Sequence, residues 1–496
     1  MTHREIERAY APAGQEGLPD LTELPGVARV GDPVVAELCA TYVDTADLAL
    51  ARAGVSLRRR TGGSDEGWHL KVPADRGRDE IHLPLTPEGE PPDELVAAVL
   101  GWTRRAPLGP VATIETRRTT YPLLDVAGGT LAEVADDRVT GTPADGAPPV
   151  RWREWEVELV DGAPDLLEAA DALMATVGVS PSTVQRKILN VLGDRVPPAP
   201  RVRTPKPGKP AGRVVHRRLA EQVAELLRRD SEIRRGQDEG IHRARVACRR
   251  LRSALATFRP LLDRDLTDPL RDEIKWLGTQ LGGARDAKVV RERLTGLVGD
   301  EEQVAGDTRR RIDETYARRR EDAGRVVATT LTSTRYFELL EALDRLVAEP
   351  PWTEVAEEDA RDVLPQRVRK DWKRLRRRVE AVETAADRDV AVHEARKAAK
   401  RLRYAAESLR PVWGKDAKRL VTATKRVTTL LGERQDTVMS RADLAQLTSQ
   451  AQDAGEDTFT FGRLHAREEQ RADDIDGEFS EVWADLSRPR LRKWLR

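Results

Sequence analysis

The stretch that decides the fold of the C-terminal half occurs twice in the chain. Residues 242–252 read HRARVACRRLR, and residues 393–403 read HEARKAAKRLR, 151 positions later. A second pattern, a lysine followed by Leu-Gly and then an aspartate, ends at Asp286 and again at Asp436, 150 positions later. Self-similarity at a fixed distance is typical of duplicated structural units. The sequence therefore predicts two related half-domains.

The segments around both copies are rich in Ala, Leu, Arg and Glu, which is typical of helices in a bundle. We expect an all-α domain over residues 213–496, with repeats at about 213–345 and 360–490. On a helix, the first, fourth, eighth and eleventh positions of each copy share one face, so each repeat presents a basic stripe. The predicted binding residues are the two stripes and a lysine downstream of each: His242, Arg245, Arg249, Arg252, Lys275, His393, Arg396, Lys400, Arg403 and Lys425.

Two basic stripes that meet across a pseudo-twofold axis would form one groove for a linear polyanion, because each neutralised phosphate releases counterions. A single stripe, in a chain with 34% charged residues, would ordinarily be a solvated face. Its recurrence with the same residue types at the same spacing favours a ligand-binding role. Nucleic acid is a less suitable ligand, since single-strand binding uses aromatic stacking and only 4% of the residues are aromatic.

The paired H-x-x-R-x-x-x-[RK]-[RK]-L-R segments, with L-G-x-x-x-D downstream, resemble the CHAD domain over about residues 212–490. This resemblance implies an all-helical fold of two repeats around a basic cavity that binds inorganic polyphosphate. By position, it assigns polyphosphate binding to the two stripes and to Lys275 and Lys425.

The N-terminal half differs in charge and in periodicity. Residues 1–200 contain 20 Lys and Arg against 32 Asp and Glu, although the whole chain has 84 of each. Short segments such as residues 55–60 alternate charged with apolar residues, and turn sequences such as Gly128-Gly129 separate them. This pattern predicts an antiparallel sheet or barrel, with helices near residues 92–103 and 164–177.

Six prolines between positions 197 and 210 predict a semi-rigid linker. We therefore place the domains at residues 1–194 and 213–496, joined by a linker over residues 195–212. The two cysteines, Cys39 and Cys248, are far apart and suit a reducing compartment. We found neither an apolar signal core at the start nor a run of about 18 apolar residues. We expect a cytoplasmic protein without a membrane partner, and the oligomeric state stays open.

Pairs of glutamates share strand faces in the N-terminal half. Glu5 and Glu7 are two residues apart, as are Glu156 and Glu158, so both side chains of each pair lie on one side of a strand. Carboxylates that face one interior suit Mg²⁺ or Mn²⁺, which prefer oxygen ligands. Complementary cations on other strands are Arg58, Arg60 and Lys71. A metal ion with arginine and lysine around a triphosphate is the arrangement that phosphoryl transfer requires.

These segments resemble the CYTH domain, the triphosphate tunnel family, over about residues 3–194. Further matches are Tyr42-Val43-Asp44-Thr45, Thr116-Arg117-Arg118 and Leu131-Ala132-Glu133. The resemblance implies an eight-stranded antiparallel β-tunnel with flanking helices. The fold class of the chain would then be α+β, with the tunnel followed by the all-α bundle. CYTH followed by CHAD is a known domain arrangement.

The CYTH resemblance also implies roles for individual residues. The metal ligands would be Glu5, Glu7, Glu133, Glu156 and Glu158. The triphosphate-binding residues would be Arg58, Arg60, Lys71, Arg118 and Lys187, with Arg117 competing for the place of Arg118. The catalytic residues would be Glu5, Glu7 and Lys71. Lys187 is the nearest match to a late lysine of the family pattern.

The chain departs from the CYTH pattern near its start. The family opens with Glu-x-Glu-x-Lys, but Ala9 stands at the lysine position, and Arg8 has the opposite strand parity. Arg186 precedes Lys187 where the family has serine. Loss of one preorganised cation can cost orders of magnitude in the rate of phosphoryl transfer.

Our main hypothesis is a protein that binds inorganic polyphosphate and hydrolyses inorganic triphosphate with Mg²⁺ or Mn²⁺, with polyphosphate granules as an expected location. The alternative is a non-enzymatic polyphosphate-binding protein with a degenerate CYTH domain, which Ala9 favours. Thiamine triphosphatase and adenylate cyclase activities rank lower, and no recognisable adenine pocket supports the latter.

Overall fold

The computed structural model describes residues 2–12, 14, 16–75, 77–182, 186–197, 210–301, 304 and 307–495, with side chains from Ile6 onward. The chain divides into two compact units, Met1–Arg201 and Val202–Arg496. The division falls within the predicted linker. Residues 198–209 of that linker lie outside the described part of the chain.

The N-terminal unit is built on one antiparallel sheet. Its strands are β1 (Thr2–Glu5), β2 (Glu7–Tyr10), β3 (Arg29–Val30), β4 (Val34–Asp44), β5 (Ser56–Thr61), β6 (Gly67–Pro73), β7 (Arg78–Leu83), β8 (Gly109–Leu124), β9 (Thr130–Pro143) and β10 (Val150–Leu159). Burial alternates along much of β4 and β9, which is the period-two pattern expected of strands with two different faces.

The first segment of the chain joins both edges of this sheet. The strand order is β1-β7-β6-β5-β4-β8-β9-β10-β2, with β3 attached to β8. Only Ile6 separates β1 from β2, so one interrupted strand pairs with β7 through its first part and with β10 through its second. Counted in this way, eight strands form the curled sheet and β3 is a short addition, which confirms the predicted tunnel fold.

Among the described residues of this unit, four α-helices accompany the sheet: α1 (Ala49–Ala53), α2 (Asp93–Thr103), α3 (Asp165–Thr176) and α4 (Lys187–Leu192). The helices α2 and α3 lie where the sequence predicted them. One core packs α3 against Trp155 and Val157 of β10, on one side of the sheet. On the other side, α4 packs through Ile188 and Val191 against residues such as Tyr42. This packing brings the N-terminal end of α4 to the concave face.

The C-terminal unit is all-helical over its described residues. Its helices are α5 (Ala211–Arg234), α6 (Asp238–Thr257), α7 (Arg264–Gln280), α8 (Gly282–Gly299), α9 (Thr308–Thr332), α10 (Thr334–Ala348), α11 (Ala360–Glu380), α12 (Arg388–Asp453) and α13 (Phe459–Ser487). The first basic stripe lies on α6 and the second on α12, and these helices pack against each other. The α+β fold class, a tunnel followed by a helical bundle, is therefore confirmed.

The two repeats differ in how their helices are divided. In the first repeat, Leu281 separates α7 from α8, whereas the corresponding Leu431 lies inside α12. A different break, at Gly414 with φ 44°, interrupts α12 between its stripe and its downstream lysine. Glycine adopts such a left-handed conformation at little cost. Within the described residues, every helix is too short or too polar to cross a membrane.

Candidate anion-binding sites

The concave face of the sheet encloses a cavity of about 150 Å³. Among its lining residues are eight of the predicted ones: Glu7, Arg58, Arg60, Lys71, Arg118, Glu156, Glu158 and Lys187. Strand parity explains the grouping, because alternate residues of β5, β8 and β10 point to the same face. Parity also separates Arg118, which lines the cavity, from Arg117, whose side chain is 66% exposed.

Two predicted metal ligands do not join this group in the described structure. Glu133 is opposite Glu158 in the β9–β10 register, but its side chain is exposed and is not among the lining residues. Glu5 ends β1, and its side chain lies outside the described part of the chain. Arg8 points away from the cavity, as its strand parity predicted, and its Nε lies 3.6 Å from Asp171 Oδ1.

An acidic cluster lies at the inner end of α4. Asp137, Glu154 and Glu156 place carboxylate oxygens within 4.8 Å of one another. Lys187 Nζ donates to Asp137 Oδ2 at 2.6 Å and to Glu156 Oε1 at 3.0 Å, and lies 2.7 Å from Glu154 Oε1. Arg118 donates twice to Asp137, at 2.8 and 2.6 Å. Three carboxylates and two cations thus form one compact network.

The network holds Glu156 and Lys187 in their charged forms. Burial opposes ionisation, but Lys187 and Arg118 outweigh it and hold the pKa of Glu156 well below its usual range. Burial likewise disfavours the Lys187 ammonium, yet Glu156 and Asp137 raise its pKa. Glu154 differs, because burial raises its pKa despite the neighbouring ammonium. Asp137 escaped sequence analysis, because its position opposite Arg118 follows from the β8–β9 register.

The acidic residues fit a divalent cation in donor type, since Mg²⁺ and Mn²⁺ prefer carboxylate oxygens. Asp137, Glu154 and Glu156 could hold a metal ion only if it displaced the ammonium of Lys187 from among them. Glu7 and Glu158 form a second carboxylate pair, because they are directly opposite each other in the β2–β10 register and both line the cavity.

The opposite wall carries a carboxylate that sequence analysis missed. Glu80 lines the cavity, and its Oε2 lies 3.6 Å from Lys71 Nζ. His69 contacts Glu80 Oε1 through Nδ1 at 2.8 Å and the Asp65 carbonyl through Nε2 at 2.9 Å. Burial, together with nearby arginines such as Arg58, lowers the pKa of His69 to about 4. Each of its ring nitrogens nevertheless faces an oxygen acceptor, and two such contacts require an N–H on both nitrogens. The hydrogen-bond geometry therefore favours one extra proton shared by His69 and Glu80.

In the helical unit, the predicted stripe residues are all partly buried and differ in their partners. Four cations have no carboxylate within 4.0 Å among the described residues, and they are Arg249, Arg252, Arg396 and Lys400. The Nε atoms of the three arginines are buried without a hydrogen-bond partner. Buried donors without acceptors are costly, so this cluster is a strong candidate for an anion.

Three of the remaining stripe residues have protein partners. Arg245 donates to Asp286, the aspartate of the downstream pattern, at 2.9 Å, and Arg403 donates to Thr428 at 3.0 Å. His393 Nδ1 lies 2.7 Å from Gln435 Oε1. Burial, followed by the charge of Arg285, lowers the pKa of His242. The two downstream lysines, Lys275 and Lys425, are exposed.

Comparison with known proteins identifies the domain family of each unit. The model of the CYTH domain family matches residues 3–184, and that of the CHAD domain family matches residues 217–445. The uncharacterized protein MT2285 of Mycobacterium tuberculosis (strain CDC 1551 / Oshkosh) is 36% identical over 492 residues, which cover 94% of this chain and 93% of that protein. This chain is a CYTH–CHAD protein.

Solved structures resemble the CYTH–CHAD protein in parts. PptA from Streptomyces chartreusis is 23% identical with a TM-score of 0.48, covering 55% of this chain and 99% of that one. The CHAD domain from the plant Ricinus communis is 24% identical with a TM-score of 0.46, covering 58% and 96%. A putative adenylyl cyclase from Hippeastrum, described as having a dominant triphosphatase activity, is 14% identical with a TM-score of 0.21, covering 38% and 94%.

The buried network around Lys187 yields a stability prediction. Lys187→Met leaves Arg118 as the remaining cation beside the three clustered carboxylates. Because breaking a buried ion pair destabilises a protein strongly, we expect the free energy of unfolding to fall by about 3 kcal/mol and Tm to fall by roughly 6 °C. Because the stranded carboxylates then have pKa values above those of the unfolded chain, the deficit is largest at pH 8 and shrinks towards pH 5. Thermal unfolding at both pH values measures it. Arg52→Met, which breaks only the exposed pair with Asp47, should change Tm by about 2 °C or less. Equal effects of the two substitutions would contradict a structural role of the network.

Proposed function

We propose that this CYTH–CHAD protein binds inorganic polyphosphate through its CHAD domain and hydrolyses inorganic triphosphate in its CYTH tunnel with Mg²⁺ or Mn²⁺. The observation that carries the proposal is the group of Arg249, Arg396 and Lys400, which act on one another electrostatically, together with Arg252 one turn along α6 from Arg249. None of the four has a carboxylate within 4.0 Å among the described residues. A protein with equal numbers of acidic and basic residues has partners available for its cations. Leaving four of them unpaired and partly buried supports an external anion as their partner.

A linear phosphate polymer suits the cluster better than a compact anion. The cations come from two packed helices, α6 and α12, and the paired residues Arg245 and Arg403 continue both stripes. Successive phosphates of one chain can contact successive cations, and each contact releases counterions. The stripes contain no Phe, Tyr or Trp, the large rings on which nucleobases stack best, so a polymer without bases fits better than nucleic acid.

The tunnel combines the two kinds of group that a triphosphate requires. Arg58, Arg60 and Lys71 line one wall and can bind phosphate oxygens, while Glu7 and Glu158 can hold a divalent cation opposite them. Such a cation, when bound, neutralises phosphate charge during phosphoryl transfer. The chain's own cations supply the remaining positive charge and orient the terminal phosphate for attack by water.

A binding module without catalysis is the second candidate function. Ala9 lies opposite Glu156 in the β2–β10 register, so the lysine of the family motif would have stood beside that carboxylate. In this chain the ammonium at Glu156 belongs to Lys187 instead. The tunnel therefore has one cation fewer than the motif provides, which favours slow hydrolysis or none.

Binding of long-chain polyphosphate to the full chain at several salt concentrations tests the proposal. Because each phosphate contact contributes a slope of about −0.9 to −0.7 in a plot of log K against log salt, four or more contacts predict a slope steeper than about −3. A single-stranded oligothymidylate of similar charge serves as the comparison and should bind more weakly. Failure to bind polyphosphate at low salt would contradict the proposed function of the CHAD domain.

A further inference from the structure

Lys400 differs from the other cations of the cluster in being a lysine. It lies on α12, partly buried, with Arg396 and Arg403 on the same helix and Arg249 on α6 acting on it electrostatically. Within the described residues, no carboxylate lies within 4.0 Å of its ammonium. Arg249 occupies the corresponding position of the first repeat. At this position the first repeat thus has a guanidinium group, and the second repeat has an amine that can lose its proton more readily.

The acidic groups near Lys400 neutralise little of its positive charge. Asp436 on α12 acts on it from beyond ion-pair distance. Asp436 is itself desolvated, which raises its pKa, while Arg396 on α12 and Arg293 on α8 compete for its charge. Glu407 is occupied by Arg218, Arg250 and Arg403. The electrostatic environment of Lys400 is therefore positive on both helices that form the stripes.

These surroundings set the protonation of the amine. Burial, followed by Arg396 and Arg249, lowers the pKa of Lys400 to about 7. A substantial fraction of the unliganded molecules then carries a neutral amine near neutral pH, and this fraction rises with pH. A guanidinium group does not titrate in this range.

We propose that polyphosphate binding is coupled to the uptake of a proton by Lys400, an inference that rests on the proposed function of the CHAD domain. The phosphates of the polymer supply negative charge beside Lys400, where the described structure has no carboxylate within 4.0 Å. The charged ammonium is therefore the favoured form of the Lys400 amine in the complex. The unliganded protein loses the proton as the pH rises through about 7, and the complex keeps it. By linkage, the association constant falls up to about tenfold per pH unit above pH 7 and levels off below pH 6.

Isothermal titration calorimetry of the full chain with long-chain polyphosphate at pH 8 measures the coupling directly. Titrations in two buffers with different ionisation enthalpies give the number of protons taken up, and we expect close to one per site. Long chains are needed because only their terminal phosphates titrate near neutral pH. Lys400→Arg should take up almost no proton and, at pH 8, should bind up to about tenfold more tightly than the wild type. Lys397→Arg, which changes an exposed lysine of the same helix paired with Glu394, should behave as the wild type.

The outcomes separate the coupling from the binding itself. Binding with the same enthalpy in both buffers would overturn the coupling and leave polyphosphate binding intact. Proton uptake that persists in Lys400→Arg would also overturn it, and would assign the proton to another group such as His242, His393 or Asp436. Absence of binding in every buffer would overturn the proposed function, and the coupling with it.

Discussion

Simultaneous replacement of Arg249, Arg396 and Lys400 by glutamine will weaken the binding of long-chain polyphosphate by at least roughly a thousandfold. Each of these residues would contribute a charge-assisted hydrogen bond worth about 1.5–3 kcal/mol, and about 4 kcal/mol corresponds to a thousandfold change in Kd. Titration of full-length wild type and variant with the same polymer, at one salt concentration, measures the effect. The salt dependence should also become shallower by about two to three units of slope.

The controls for this variant follow from the partners of each residue. Because the three cations have no carboxylate within 4.0 Å among the described residues, their removal should not lower Tm. Arg309, Arg318 and Arg325 are exposed on α9, and their replacement by glutamine removes the same net charge. This second triple variant should lose only a few-fold in affinity. Equal losses in both variants would mean that overall charge, rather than the stripes, binds the polymer.

In the tunnel, Glu158→Gln will lower the release of phosphate from inorganic triphosphate by at least roughly a hundredfold in the presence of Mg²⁺ or Mn²⁺. The amide keeps the shape of the side chain but removes the charge that would hold a divalent cation opposite Arg58 and Lys71. Glu168→Gln, on the exposed side of α3, is the matched control and should leave the rate unchanged. Undiminished release in Glu158→Gln would exclude a metal-binding role for this carboxylate.

The wild-type rate decides between the two candidate functions. Metal-dependent release above background would support the triphosphatase in spite of Ala9. Absence of release, together with a gain in Ala9→Lys, would support a binding module whose tunnel lacks a catalytic cation. Position 9 is the informative place for this test, because it faces Glu156 across β2 and β10.

The sequence sufficed for the strands and for the duplication, because both are periodic. Alternation such as that of residues 55–60 needs no tertiary information, and neither does the recurrence of residues 242–252. The partners of individual side chains were beyond reach. Whether Arg118 or Arg117 faces inward depends on the β8–β9 register, which places Arg118 opposite the buried Asp137.

The same limit applies to the helical stripes. Periodicity puts Arg245 and Arg249 on one face of α6, yet the first is paired with Asp286 and the second has no described carboxylate partner. The distinction arises from where α8 lies relative to α6, which is a property of packing between helices rather than of either helix alone. Glu80 escaped notice for a similar reason, since its closeness to Lys71 depends on the β6–β7 register.

The strand that opens the tunnel domain has consequences for how the domain is made. Thr2 pairs with Ile81 and Glu7 with Glu158, so this N-terminal segment can complete its pairing only after the last strand of the sheet has been made. Such distant pairings slow folding, and until they form, β7 and β10 each present an open edge to other chains. A chain truncated before residue 159 lacks part of β10 and would therefore have the aggregation tendency of an unfinished sheet.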